Sequence, residues 1–144
     1  MPAGRPIKFK TEKEFVEYLR VNANLWVEDF FGEELDSIEV DKTIARRAFG
    51  ANLPRIDLII RTKSGRRIGI ECKNPKQHFH ELSRSVSQLL AYGVLAEEVG
   101  RKFDILAIIS SERGKEDIVH KMIKKYSLPI RNFYVDRDIH GEIV

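Results

Sequence analysis

Three residues of types that bind metal ions and phosphates lie on two neighbouring segments of the chain. Asp57 closes the run Pro54-Arg55-Ile56-Asp57, and Glu71 and Lys73 follow a predicted turn in Glu71-Cys72-Lys73. Both segments have the composition and alternation typical of β-strands. Carboxylates bind hard divalent cations, and a lysine beside them favours an anionic substrate.

The turn between these segments predicts how they pair. Residues 62–66 read Thr-Lys-Ser-Gly-Arg, with Gly65 where a three-residue hairpin loop needs a left-handed residue. The resulting register puts Asp57 directly opposite Glu71, with Cβ atoms about 5 Å apart. Lys73 shares the face of Glu71 because side chains alternate along a strand. Since opposed like charges repel, the arrangement predicts a divalent metal with oxygen ligands.

The same hairpin also has a purely structural interpretation. One of its faces is apolar and would point into the core: Ile56, Leu58, Ile60, Ile68, Ile70 and Cys72. The other face would then be no more than the solvated side of the hairpin: Asp57, Ile59, Arg61, Gly69, Glu71 and Lys73. The hairpin alone leaves both interpretations open.

Composition bounds the class of protein. With 144 residues, 42% hydrophobic and 33% charged, the sequence predicts one globular domain with its own core. No apolar stretch approaches the roughly 20 residues that span a membrane, and the N-terminus lacks a signal-peptide core. We therefore expect an intracellular, cytoplasmic protein without membrane contact. The single cysteine, Cys72, excludes a disulfide framework, a multi-cysteine zinc site and an iron–sulfur cluster.

The formal net charge of +3 is unevenly distributed. Residues 61–85 contain two acids and seven basic residues, which are Arg61, Lys63, Arg66, Arg67, Lys73, Lys76 and Arg84. A positive surface beside two carboxylates suits a polyanion held near a metal, although such charges can also form an ordinary solvated face. Residues 1–10 are predicted to be a basic N-terminal arm, and residues 11–144 a single domain.

The hydrophobic pattern predicts the element order α, β, β, β, α, β, α, β. The ranges are a helix over 11–32, a strand over 37–44, a loop over 45–54, the two hairpin strands, a helix over 79–99, a strand over 103–110, a helix over 114–127 and a strand over 131–136. Thr11 and Glu14 form a capping box, and Gly32 and Gly100 are predicted helix ends. The apolar run over 103–110 is typical of a strand buried on both faces. The fold class is therefore α/β, a mixed central sheet flanked by helices, with a C-terminal α–β extension.

Asp57 on the second strand, Glu71-Cys72-Lys73 on the third, and the αβββαβ order over residues 11–110 resemble the PD-(D/E)xK nuclease superfamily. That superfamily includes restriction endonucleases, Holliday-junction resolvases and RecB-type nuclease domains. Gln88 and Tyr92 form a Gln-x-x-x-Tyr pattern on the next helix, which resembles the RecB-type branch. An i,i+4 spacing places both side chains on one helical face.

The resemblance also implies a glutamate from the first helix, and Glu14 is the residue that we select, with Glu28 as the alternative. His78 and His80, just beyond the motif lysine, are weaker candidates for contacts with phosphate. The Pro-Asp pair of the superfamily is interrupted here, because Arg55 and Ile56 separate Pro54 from Asp57.

The resemblance implies a DNA nuclease that uses Mg2+ or Mn2+. Asp57, Glu71 and the backbone carbonyl of Cys72 would bind the metal, and Lys73, Gln88, Tyr92 and Glu14 would complete the catalytic set. DNA would contact basic residues, namely Arg66, Arg67, Lys76 and Arg84. The Gln-x-x-x-Tyr pattern favours an exonuclease or end-processing enzyme. The alternatives are a structure-specific or restriction-type endonuclease, typically a homodimer, and a non-catalytic DNA-binding protein with the same fold.

Overall fold

The computed structural model describes residues 9–43, 55–74, 79–112, 118–136 and 139–144. Several sequence predictions fall outside these ranges: most of the N-terminal arm, the loop over 45–54, Lys76 and His78. Among the helices within the ranges, none is both long and apolar enough to cross a lipid bilayer.

The described chain forms one six-stranded mixed sheet with helices on both faces, which confirms the predicted α/β class. The elements are α1 (Glu12–Val21), α2 (Ala23–Phe31), β1 (Leu35–Thr43), β2 (Arg55–Thr62), β3 (Arg67–Lys73), α3 (Phe79–Glu98), β4 (Ile105–Ser110), α4 (Ile118–Tyr126), β5 (Ile130–Asp136) and β6 (Ile139–Glu142). The strands lie in the spatial order β1-β2-β3-β4-β5-β6. The pairs β3–β4 and β4–β5 are parallel and the others antiparallel, so α3 makes the crossover from β3 to β4.

The first helix is divided, and the prediction of one continuous helix to Gly32 was wrong. The division occurs at Asn22, whose side-chain amide donates a 2.9 Å hydrogen bond to the carbonyl of Tyr18. Asparagine satisfies nearby backbone groups with its own amide and so competes with helical hydrogen bonding. The indole of Trp26 donates to the carbonyl of Leu19 and holds the second segment against the first. Gly32, with φ +69°, ends α2 as predicted.

The C-terminal extension contains one strand more than predicted. The short β6 pairs antiparallel with β5, with Tyr134 opposite Gly141, and forms one edge of the sheet. At four residues, β6 carries too short a pattern to stand out in the sequence.

Both faces of the sheet are covered by helices. Helices α1 and α2 pack on the face formed by Leu58, Ile60, Ile68, Ile70 and Cys72. Helices α3 and α4 cover the opposite face, where Ile59 is 8%, Glu71 8% and Lys73 1% exposed. The interpretation of this second face as merely solvated is therefore wrong. Ile56 also departs from the predicted alternation, since it packs with Ile59 and Phe103 on the α3 side.

Candidate active site

The hairpin between β2 and β3 has the register that its turn predicts. Gly65 has φ +91°, and the N–H of Thr62 donates a 3.0 Å hydrogen bond to the carbonyl of Arg66. The ladder continues to the pair formed by Leu58 and Ile70. Asp57 and Glu71 lie one residue beyond this pair on their strands.

The two strands separate at Asp57. In a continued ladder Cys72 would pair with the backbone of Ile56, but its N–H instead donates a 2.8 Å hydrogen bond to Oδ2 of Asp57. The N–H of Asp57 donates in turn to Oε1 of Glu71, at 3.3 Å. These two hydrogen bonds fix both carboxylates at the end of the ladder and use only one oxygen of each.

A third carboxyl group reaches this site from the start of α1, and it belongs to Glu12. Its carboxyl group forms a hydrogen bond with that of Asp57, although much of the residue remains exposed. The structure does not bring Glu14, the residue selected from the sequence, to this site. Glu14 is exposed, and its Oε2 accepts a 3.0 Å hydrogen bond from the N–H of Lys10, while its own N–H donates to the Thr11 hydroxyl.

Helix geometry explains why Glu12 reaches Asp57 and Glu14 does not. Glu14 lies two positions after Glu12 in the chain. Two positions correspond to a rotation of about 200° around the helix axis, so the two side chains point to opposite sides. The capping box fixes where α1 begins, and the packing of Phe15 and Leu19 then determines which side faces β2. The alternative, Glu28, lies on α2 and lines a separate groove with Lys63.

Burial and mutual repulsion raise the pKa values of these acids. Burial, followed by the charges of Asp57 and Glu12, raises the pKa of Glu71 to about 9. Burial also raises the pKa of Asp57, against the opposing effect of the hydrogen bond from Cys72. Partial burial and the charges of Asp57 and Glu81 raise the pKa of Glu12 to about 7. Such shifts are typical of sites that bind cations or transfer protons.

Helix α3 brings a phenol to the same place. Desolvation and then the charges of Glu71 and Asp57 raise the pKa of Tyr92, which is half-buried beside them. Gln88, one turn earlier, is exposed, and no hydrogen bond joins it to these carboxylates in the described part of the chain. Lys73 lies two residues beyond Glu71 on β3, and its neighbour in the parallel register is Ser110 of β4.

The oxygen atoms at the site fit a divalent cation that prefers oxygen. The carbonyl of Lys73 accepts from the N–H of Ser111 on the β4 side. Because backbone groups alternate along a strand, the carbonyl of Cys72 points to the β2 side, toward Asp57. This carbonyl and the second oxygens of Asp57 and Glu71 could bind Mg2+ or Mn2+, with water and phosphate completing the coordination. Within the described ranges no group of three His, Cys, Asp or Glu side chains forms a complete metal site by itself.

The basic residues predicted to contact DNA lie in different surroundings. Arg66 forms a 2.9 Å ion pair with Glu33, whereas Arg67 lines a groove on the α3 side of the sheet. Arg84 and His80 are exposed near the start of α3.

Two solved structures are similar to this chain. A repair endonuclease from Pyrococcus abyssi matches with a TM-score of 0.54 and 18% identity, over 89% of this chain and 49% of that one. An EndoMS–dsDNA2 complex matches with a TM-score of 0.50 and 15% identity, over 92% of this chain and 48% of that one. This chain therefore shares its mixed α/β fold with these proteins and spans about half their length. No family model and no curated protein matches the sequence.

Proposed function

We propose that this chain is a metal-dependent deoxyribonuclease that hydrolyses phosphodiester bonds. The observation that carries the proposal is the pair of buried carboxylates, Asp57 and Glu71, fixed at the point where β2 and β3 separate, with Lys73 on the same face. Two opposed carboxylates destabilise the fold unless a cation or a proton neutralises them. In a nuclease that depends on Mg2+ or Mn2+, such a pair of carboxylates would bind the metal ion.

In this proposal the metal is held by Asp57, Glu71 and the Cys72 carbonyl. When bound, it would acidify a water molecule and neutralise charge on the phosphate. The ammonium of Lys73 would stabilise negative charge as it develops on the phosphate oxygens. The Glu12 carboxylate would accept a proton from the attacking water, because a pKa of about 7 suits a general base near neutral pH. The Tyr92 phenol would donate a hydrogen bond to a phosphate oxygen and so orient the backbone.

Two modes of cleavage remain, and a different observation favours each. The similar structures are a repair endonuclease and an EndoMS–dsDNA2 complex, which favours an endonuclease acting on duplex DNA. The Gln88-x-x-x-Tyr92 pattern favours the exonuclease or end-processing alternative. Since the chain spans only about half the length of those proteins, the activity of the whole proteins does not by itself establish the activity of this chain.

One set of reactions tests the proposal. Linear duplex, closed circular, branched and single-stranded DNA are incubated with Mg2+, with Mn2+ or with EDTA, beside the Asp57→Asn variant. We expect metal-dependent cleavage that the variant lacks. Cleavage of the circle identifies an endonuclease, and cleavage of linear DNA alone identifies an exonuclease. DNA binding without cleavage of any substrate would overturn the proposal in favour of a non-catalytic binding protein.

A further inference from the structure

A second cluster of charge lies on the same face of the sheet, away from the carboxylates. Three arginines line one groove of about 320 Å3 beside α3: Arg61 of β2, Arg67 of β3 and Arg101, which follows α3. Arg61 and Arg67 are directly opposite each other in the antiparallel ladder. Like charges in this arrangement cost stability, so the cluster calls for a negative partner.

Arg67 is held in place from several sides. Its N–H donates a 2.8 Å hydrogen bond to Oδ2 of Asp104, and its carbonyl accepts one of 2.8 Å from the N–H of Asp104. Its guanidinium lies 4.9 Å from the centre of the Phe103 ring and donates to the carbonyl of Arg101. A positioned guanidinium loses little side-chain entropy when it binds an anion.

The end of α3 determines where Arg101 lies. Gly100 adopts φ +74°, the N–H of Arg101 donates to the carbonyl of Ala96 at 2.8 Å, and that of Gly100 donates to Glu97 at 3.1 Å. This is the Schellman pattern of a helix terminus. The helix end therefore directs Arg101 into the groove beside Arg67.

The three arginines outnumber the two nearby acids that act on Arg67, which are Glu39 and Asp104. The lining of the groove carries three arginines and one acid, Glu39, for a net charge of +2 (three minus one). Within the described residues, neither Arg61 nor Arg101 forms an ion pair. Burial, and then the charges of Arg101 and Arg61, lower the pKa of Arg67, as expected for a cluster short of negative charge.

The groove continues along β1. An adjoining cavity of about 330 Å3 shares Glu39, Ile59, Arg67 and Arg101 with it and extends to Asp41 and Thr43 at the end of β1. Four residues separate Asp57 from Arg61, and Glu71 from Arg67, so the arginines lie roughly 13 Å along the strands from the carboxylates.

We infer that Arg61, Arg67 and Arg101 form a phosphate clamp, which binds one backbone phosphate of the substrate away from the bond that is cut. The inference rests on the proposed nuclease function and adds to it a defined second contact. It also accounts for the paired arginines, which the metal site does not use.

The first test measures binding of a DNA duplex in EDTA, where no cleavage occurs. We expect Arg61→Gln and Arg101→Gln each to raise the Kd about five- to thirtyfold at low salt and to reduce the salt-dependence slope by about one. Lys102→Gln is the matched control, because it removes the same charge at the next residue, outside the groove. Its Kd should stay within about twofold of the wild type.

The second test locates the contact. Single uncharged methylphosphonate linkages are placed in turn along the duplex. One position away from the cut should weaken binding to the wild type about tenfold and have a smaller effect in Arg101→Gln. Identical profiles for the two proteins would overturn the clamp.

Failure of the clamp and failure of the proposed function give different results. A wild type that cleaves DNA, with arginine variants that bind like Lys102→Gln, overturns the clamp and leaves the nuclease. A wild type that never cleaves, with arginine variants that still lose affinity and the methylphosphonate effect, supports the clamp and overturns the nuclease.

Discussion

The N–H of Cys72 donates its hydrogen bond to the side chain of Asp57, where the antiparallel register would offer the backbone of Ile56. A carboxylate thus replaces a backbone acceptor at the last position of the ladder. Its position is set by the sheet, and its carboxyl group also forms a hydrogen bond with that of Glu12. The N–H of Asp57 positions Glu71 in the same way.

We expect Asp57→Ala, Glu71→Ala and Lys73→Met each to lower DNA cleavage at least about a hundredfold while the protein remains folded. The first two remove proposed metal ligands, and the third removes an ammonium while keeping most of its volume. Cleavage rates with Mn2+ and circular dichroism spectra provide the measurements. Wild-type activity in either carboxylate variant would rule out the assigned metal site.

Glu12 and Glu14 provide a matched pair, because both lie in the first turn of α1 and only Glu12 reaches Asp57. Glu12→Gln should lower the cleavage rate about a hundredfold and remove the rise of rate with pH around 7. Glu14→Gln should retain cleavage within about threefold. The pH–rate profiles of the three proteins decide between the glutamates, and loss of activity in Glu14→Gln alone would restore the original selection.

Without metal, the protein should lose stability as the pH rises. An acid whose pKa is higher in the folded state binds more protons there, so its contribution to the free energy of unfolding falls between the two pKa values. For Glu71 that window runs from about 4.5 to about 9. In EDTA, Glu71→Gln should remove at least about 1 kcal/mol of this loss, because the glutamine stays neutral. Denaturant unfolding at pH 5, 7 and 9 measures the effect, and parallel pH curves for the two proteins would contradict it.

Asp57→Asn should stabilise the metal-free protein by roughly 0.5–1 kcal/mol, because it removes a buried negative charge beside Glu71 and keeps an acceptor for Cys72. Mn2+ that binds only the folded state should raise the melting temperature of the wild type. For Asp57→Asn, the rise in melting temperature caused by Mn2+ should be much smaller. Thermal melts with EDTA and with millimolar Mn2+ compare the two. A variant that is less stable in EDTA and equally stabilised by metal would show that these carboxylates do not form one site.

Tyr92→Phe should lower cleavage about tenfold with little effect on stability, since it removes only a hydroxyl beside Glu71 and Asp57. Tyr126→Phe is the control, because Tyr126 is 66% exposed on α4. Single-turnover rates separate the chemical step from binding. Equal cleavage rates for Tyr92→Phe and Tyr126→Phe would show that the Tyr92 phenol takes no part in cleavage.

Local sequence determined the central part of the candidate site. Residues 62–66 specify a hairpin loop with Gly65 in the left-handed conformation, and the loop length sets the register that runs to Leu58 and Ile70, one residue before Asp57 and Glu71. Thr11 at the start of α1, and Gly32 and Gly100 at the helix ends, were predictable for the same reason. Each depends on contacts between residues close together in the chain.

Tertiary structure decided which side of each element meets which neighbour. Periodicity placed Glu12 and Glu14 on opposite sides of α1, but the packing of that helix selected Glu12. The pattern of β2 and β3 was compatible with one solvated face, and only the position of α3 buried Glu71 and Lys73 there. Arg61, Arg67 and Arg101 come from three separate segments and meet because α3 ends above the start of β3. A sequence period fixes the angles between side chains within one element, whereas the rotation of that element against its neighbours depends on packing of the whole core.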